Sequence, residues 1–218
     1  MDILIDLDGT VHDPAPGIVG SVQYALRELG LPVPSAPDLH WVIGPPLRVV
    51  FPQIGVKADD VERAVQLYRV NYRGGAMYDA IVYQGIPAAL DTLREMGARL
   101  IMATSKPHPF AKPIMEKFGL ADRFAAIHGA ELDGTRDDKA ELIRHIIETE
   151  GVDPGRAVMV GDRKFDCLGA SKNGIPTVGV LWGYGTAEEL REHGAVHLAE
   201  TPSDLARLIR IIFARNGN

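Results

Sequence analysis

The chain has 218 residues, 46% of them hydrophobic and 24% charged, ordinary values for a globular chain long enough to bury one sizeable core beside a small accessory domain. Its 29 acidic and 23 basic side chains leave a formal net charge of −6, which argues against a nucleic-acid partner. A single cysteine, Cys167, excludes an internal disulfide and a cysteine-rich zinc site. No apolar segment nears the ~20 residues of a membrane span, and Asp2, Asp6 and Asp8 interrupt the first apolar run, so no secretory signal, no membrane partner and a cytoplasmic location are expected.

The chain opens on Ile3-Leu4-Ile5, an apolar run that predicts a buried strand. It leads straight into Asp6-Leu7-Asp8-Gly9-Thr10. Acids two apart share one side of an extended segment, and close carboxylates repel unless a cation or a shared proton lies between them. Gly9 permits a sharp turn. The chemistry points to a divalent metal, with one Asp as nucleophile and the other as proton carrier. A plain strand end followed by an Asp-Gly turn accounts for the same five residues.

Pro14, Pro16 and Gly17 mark a break in regular structure. Val22, Ala25, Leu26 and Leu29 then fall on one face of a helix over about 18–29. Leu31 to Pro37 reads as a loop, Leu39 to Ile43 as a short helical piece, and Gly44-Pro45-Pro46-Leu47 as a rigid turn. A further helix runs from Asp59 to about Tyr72, its acids placed near the N-terminus, and Gly74-Gly75 stops it. Strand signal is scarce throughout, so residues 14–83 are expected to form a helical insert.

From Tyr83 the pattern changes. Strands are expected over about 99–103, 124–127, 157–160, 177–180 and 195–198, and helices over 88–96, 110–118, 138–149, 164–173, 187–193 and 202–214. This alternation predicts an α/β core, a parallel sheet with helices on both faces, from residues 1–13 and 84–218. Ligands of such sheets bind beyond the carboxyl ends of the strands. Asp6–Thr10, Thr104-Ser105-Lys106 and Gly161-Asp162 all fall there.

Together these sequences read as a phosphate site. Thr104 and Ser105 offer hydroxyls and N–H groups to an anion, although such a pair also caps a following helix; here Pro107 and Pro109 delay that helix. Lys139, in a first helical turn behind Asp137-Asp138, reads by spacing alone as a solvated lysine, and in a site as a cation offsetting nucleophile and phosphate. Asp162 alone is a helix N-cap, and Asp166 alone a first-turn acid. Joined to the first pair, they supply the oxygen ligands that suit magnesium beside a phosphate. Neither local reading explains the recurrence at three strand ends.

The ordered set resembles the haloacid dehalogenase superfamily of phosphotransferases over the whole chain. Asp6-Leu7-Asp8-Gly9-Thr10 is similar to its first motif, Thr104 to its second, Lys139 to its third, and Gly161-Asp162 with Asp166 to its fourth. The insert resembles the helical cap of the phosphoglycolate phosphatase-like branch. Ile43-Gly44-Pro45-Pro46-Leu47, Ala103-Thr104-Ser105-Lys106-Pro107 and Gly179-Val180-Leu181-Trp182-Gly183-Tyr184-Gly185 support that branch and its 5'-nucleotidase-like subgroup. One departure stands out. Val11-His12-Asp13-Pro14 replaces a segment that more often reads Leu, a variable residue, Asp, Ser, and it bears on the hinge of the cap more than on the chemistry.

The resemblance implies a Rossmann-like parallel sheet with an α-helical cap domain at residues 14–83, and a magnesium-dependent phosphomonoester hydrolase. Asp6 would be the nucleophile forming an aspartyl-phosphate, and Asp8 the acid and base. Magnesium would be held by Asp6, the Asp8 carbonyl, Asp162 and Asp166. The phosphoryl group would be held by Gly9, Thr104, Ser105 and Lys139, with Arg48 a cap contact to a substrate anion or a plain surface arginine. The substrate implied is a small phosphorylated metabolite, phosphoglycolate first and a nucleoside 5'-monophosphate beside it, for a monomer or homodimer. A sugar phosphomutase would use the same residues, and a non-catalytic phosphate sensor the same scaffold; a haloacid dehalogenase would not need Asp8. The seven histidines show no metal-ligand spacing and are expected at the surface or at helix ends. Trp182 and Tyr184 are expected at a strand end, at the rim of the site or at a dimer contact.

Overall fold

The computed structural model describes residues 1–215; positions 216–218 of the expected core range lie outside the described residues. By its internal packing the chain divides into two units, one of Met1–His12 with the chain from Val82 onward, the other of Asp13–Ile81.

In the first unit, β1 (Asp2–Ile5), β4 (Arg99–Pro107), β5 (Ala126–Ala130), β6 (Ala157–Gly161), β7 (Thr177–Val180) and β8 (Ala195–Ala199) form one sheet in the order β5-β4-β1-β6-β7-β8, parallel throughout. Two short strands, β2 (His12–Asp13) and β3 (Ile81–Val82), sit where the chain passes from one unit to the other. The helices of the first unit are α4 (Ile86–Glu95), α5 (His108–Lys117), α6 (Lys139–Glu150), α7 (Lys164–Lys172), α8 (Ala187–Glu192) and α9 (Leu205–Arg215).

Strand alternation explains the layering, because successive side chains leave opposite faces. Ile3, Ile5, Leu100, Met102, Val158 and Val160 pack with Leu90 and Leu93 of α4, Met115 of α5 and Ile209 of α9. Leu4, Ile101, Ala103 and Met159 face the other way, onto Leu142, Ile143 and Ile146 of α6 and Ala170 of α7. Both faces are therefore dry. The register sets Ile5 beside Met102 on one flank and Val160 on the other. The ends of β1, β4 and β6 thus emerge side by side, where the strand order diverges from β1 and ligands collect in such sheets.

The second unit holds α1 (Ala15–Glu28), α2 (Leu47–Gln53) and α3 (Val61–Arg73). Val22, Ala25 and Leu26 of α1 and Ala64, Val65, Tyr68 and Tyr72 of α3 are buried. Asn71 of α3 donates to Ser21 Oγ of α1 at 3.0 Å, and Ser21 donates back to Gly17 O at 2.7 Å.

Three local outcomes differ from the sequence expectation. α1 begins at Ala15, before the expected 18, because a proline in a first turn gives up no hydrogen bond and its fixed φ already suits a helix. α2 was not expected at all; Pro46 stands as its N-cap, so the rigid turn is its start. β4 continues to Pro107 instead of ending at Ala103, with a register shift against β5 between Thr104 and Pro107. Such a bulge re-aims the side chains it carries, here Ser105 and Lys106. No helix among the described residues is long and apolar enough to cross a membrane.

Leu4 is fully buried between β1's two flanking strands and α6. Leu4→Ala is expected to cost about 3 kcal/mol, read as a lower urea midpoint with an unchanged slope.

Candidate active site

At the end of β1 the chain leaves extended geometry. The N–H groups of Thr10, Val11 and His12 all converge on Leu7 O, at 3.2, 2.9 and 3.3 Å, closing a tight turn. Gly9 sits at φ +84°, and a Cβ there would lie 2.2 Å from Asp162 Oδ2. Both the backbone conformation and the closeness of Asp162 require glycine. The turn also separates the two acids, which the sequence had placed on one side of a strand.

Asp6 keeps company with Asp162 and Asp166. All three carboxylates are buried, and each offers an oxygen within 4.8 Å of the others. Lys139 reaches them from the first residue of α6, whose start is fixed by Asp138 accepting from Ala140 N and Glu141 N at 2.9 and 3.1 Å. Its Nζ donates to Asp6 Oδ1 at 2.7 Å and to Ala103 O at 2.8 Å, and pairs with Asp166 Oδ1 at 2.8 Å. The solvated-lysine reading therefore falls. Burial pushes the Asp6 carboxyl up to about 7; Lys139 opposes this and Asp166 adds to it. Burial also raises Asp162 well above the usual range, helped by Asp166 and Asp6. Burial works against a charged Lys139, but Asp166 and Asp6 outweigh it and raise its pKa. Three acids against one ammonium in a dry pocket fit a divalent cation with a taste for oxygen.

Asp162 is held as well as buried. Thr10 Oγ1 donates to its Oδ1 at 3.3 Å and Tyr184 N to its Oδ2 at 2.8 Å. A Cβ on Gly183 would meet Asp162 Cβ and Gly9 O at 2.4 Å, and one on Gly185 would meet Asp162 O at 2.0 Å. Trp182 Nε1 donates to Thr10 O at 2.9 Å. The segment 182–185 is thus a strap drawn across Asp162 and the Gly9-Thr10 turn, which sets Trp182 and Tyr184 beside the carboxylates. Asp166 Oδ2 accepts from Arg163 N at 3.1 Å. Glu189 ties α8 to the same corner by accepting from Arg163 Nε at 3.0 Å and Lys164 N at 2.9 Å.

Asp8 points elsewhere. His12 Nε2 lies 2.7 Å from its Oδ1 and Lys106 Nζ 2.9 Å from its Oδ2. Burial alone would raise this carboxyl, but Lys106 and then His12 outweigh it and bring it down to about 2. Sequence reasoning missed both partners. Lys106 was in view inside Thr104-Ser105-Lys106, and only the bulge of β4 brings its ammonium to Asp8. His12 was expected at the surface or at a helix end and is fully buried.

The remaining candidates divide. Thr104 is buried at the strand end, its Oγ1 accepting from Lys106 N at 3.1 Å. Ser105 Oγ donates to Asp137 O at 3.2 Å, on the loop before α6. Gly9 N–H is committed to His12 O at 2.9 Å. Arg48 belongs to the other unit, where its Nε and Nη2 meet the Glu62 carboxylate at 2.5 and 3.1 Å.

Comparison with known proteins adds a second line. The family of haloacid dehalogenase-like hydrolases matches residues 3–180. A Pseudomonas aeruginosa protein named 5'-nucleotidase is 44% identical over 212 residues, 97% of this chain and 95% of that one. A Mycobacterium tuberculosis protein named tyrosine-protein kinase PtkA is 41% identical over 188 residues, 85% of this chain and 64% of that one. A phosphoglycolate phosphatase of Agrobacterium fabrum is 32% identical over 187 residues, 83% and 80% of the two chains. A crystal structure of a predicted phosphatase from Clostridium acetobutylicum superposes with a TM-score of 0.92 at 37% identity, covering 96% of this chain and 98% of that one.

Burial pushes the Asp6 carboxyl up to about 7, so a cation bound by it would compete with a proton. Divalent-cation affinity, read by calorimetry or by the rise in Tm, is therefore expected to weaken as pH falls from 8 to 6, by up to roughly tenfold per unit for each proton displaced. An affinity flat across that interval would overturn the assignment of these carboxylates.

Proposed function

The chain belongs to the haloacid dehalogenase-like hydrolase family and is a phosphatase; from that premise we propose that it is a magnesium-dependent phosphomonoester hydrolase working through an aspartyl-phosphate. The observation that carries this reading is the buried cluster of Asp6, Asp162 and Asp166 around Lys139. A phosphate sensor needs donors and cations. It has no use for a carboxylate held beside two others, because that repels the anion it should bind.

Asp6 attacks phosphorus in line, and the bond to the leaving oxygen breaks as the acyl phosphate forms. Asp8 gives its proton to the leaving oxygen, then takes one from the water that hydrolyses the intermediate. Lys139 carries positive charge to the transferring group and holds the Asp6 carboxylate in one orientation. The Thr104 hydroxyl and the N–H groups near Ser105 receive the phosphoryl oxygens, since the Gly9 N–H is already taken by His12 O. Asp6, the Asp8 carbonyl, Asp162 and Asp166 would hold magnesium, which when bound neutralises charge on both the nucleophile and the phosphoryl oxygens. Positioning and charge carry most of such a reaction.

For the leaving group, the 5'-nucleotidase relative matches at higher identity and over more of both chains than the phosphoglycolate phosphatase does. This favours a nucleoside 5'-monophosphate, with phosphoglycolate the second reading. Choice of leaving group is assigned to the helical unit, Asp13–Ile81. The kinase-named relative is longer, and the chain spans 64% of it, so its named activity is not carried over.

Phosphate release from nucleoside 5'-monophosphates, phosphoglycolate and sugar phosphates, with and without a magnesium chelator, tests the proposal. Wild type should release phosphate from one class, and Asp6→Asn should lose at least about 10³-fold in kcat. Turnover surviving that substitution, or isomerisation of a sugar phosphate without net release, would overturn the mechanism.

A further inference from the structure

Asp8 must move a proton twice, and both of its oxygens are gripped. His12 Nε2 lies 2.7 Å from Oδ1 and Lys106 Nζ 2.9 Å from Oδ2. The grips are unlike. Lys106, its side chain nearly buried, carries its cation on an unbranched stem, a charge that a bound phosphate also attracts. His12 is fully buried, its ring edge-on to Phe118 with 6.0 Å between centroids. Its main chain is tied too, N–H to Leu7 O at 3.3 Å and C=O to Gly9 N at 2.9 Å.

The ring is not there for packing. A carboxylate accepts, so Nε2 carries the hydrogen. Among the described residues Nδ1 is buried without a hydrogen-bond partner, a cost that an apolar side chain of the same size would avoid. What the imidazole gains in return, among the described residues, is a hydrogen bond to Asp8. The segment Val11-His12-Asp13-Pro14, which in sequence bears on a hinge, here bears on the acid–base residue.

We infer that His12 is a positioning residue for Asp8. It pins Oδ1, so that Oδ2, on the side of Lys106, is the oxygen that exchanges protons with the substrate. This rests on the phosphatase reading. In the first step the Oδ2–H bond breaks as the leaving oxygen takes the proton together with the electron pair of its P–O bond. In the second, water returns a proton to Oδ2 as its oxygen bonds phosphorus and the Asp6 carboxylate departs.

Leaving groups separate this role from a structural one. p-Nitrophenolate departs without a proton, whereas the alkoxide of adenosine 5'-monophosphate or phosphoglycolate does not. His12→Leu should lower kcat on whichever of those two alkyl esters the wild type cleaves by on the order of 10²-fold, with KM nearly unchanged. On p-nitrophenyl phosphate it should release a first equivalent of nitrophenolate at close to the wild-type rate and then turn over slowly, because hydrolysis still needs Asp8. His12→Gln, whose Nε2 reaches the same oxygen, should restore most of the rate. His12→Asn, polar but too short, should not, and this pair decides the matter if the leucine variant fails to fold. A leucine or asparagine variant as fast as wild type, or slowing of both phases on both esters without rescue by glutamine, would overturn the inference. A wild type inert toward every ester would instead remove the phosphatase reading, and the inference with it.

Discussion

Three buried carboxylates, two of them paired with one ammonium, set the terms for the rest of the core unit. At separations within 4.8 Å, two unit charges in a medium of effective dielectric ~20 repel by about 3 kcal/mol or more. No chain would assemble this from local preference. The register of the sheet imposes it: Ile5 paired with Val160 delivers Asp6 and Asp162 to adjacent strand ends. The first turn of α7 then adds Asp166, and the capped start of α6 drives Lys139 beneath all of them. The dry layers on both faces of the sheet supply the stability against which this repulsion is set.

The strap at 182–185 follows from the same constraint. A carboxylate repelled by two neighbours turns away unless its alternatives are blocked. Asp162 is held in place: donors from Thr10 and Tyr184 bind its oxygens, while Gly9, Gly183 and Gly185 bring backbone to where a Cβ would collide with it. The indole of Trp182 closes the loop by fixing Thr10. What looked in sequence like a glycine-rich strand end is a mould around one side chain.

Much of this was legible beforehand, for a definable reason. The parallel sheet announced itself because strands buried on both faces are continuous apolar runs, and the acids announced themselves because they interrupt such runs at their ends. Asp6, Asp162, Asp166 and Lys139 meet as their order along the chain suggested. Sequence was blind where geometry depends on departures from regularity. The bulge in β4 re-aims Lys106, and no periodicity marks it. His12 stands four residues after Asp8 in what reads as a broken stretch, and only the convergence of three N–H groups on Leu7 O folds it back. Arg48, read as a substrate contact or a plain surface arginine, lies at the surface and pairs with Glu62.

Asp6 and Asp8 carry opposite charge tendencies: Asp6 is pushed up to about 7 and Asp8 down to about 2. Environments that push paired carboxyls apart assign their roles, yet these tendencies run against the roles proposed above, Asp6 as nucleophile and Asp8 as acid. Both follow from what each acid faces before anything binds: Asp6 faces other carboxylates, Asp8 faces Lys106 and His12. A divalent cation beside Asp6 favours its charged form. A phosphate drawing on Lys106 withdraws the main support for a charged Asp8, leaving His12 to keep the carboxyl in place while it holds a proton. Loading the site therefore moves each acid toward the form its step needs.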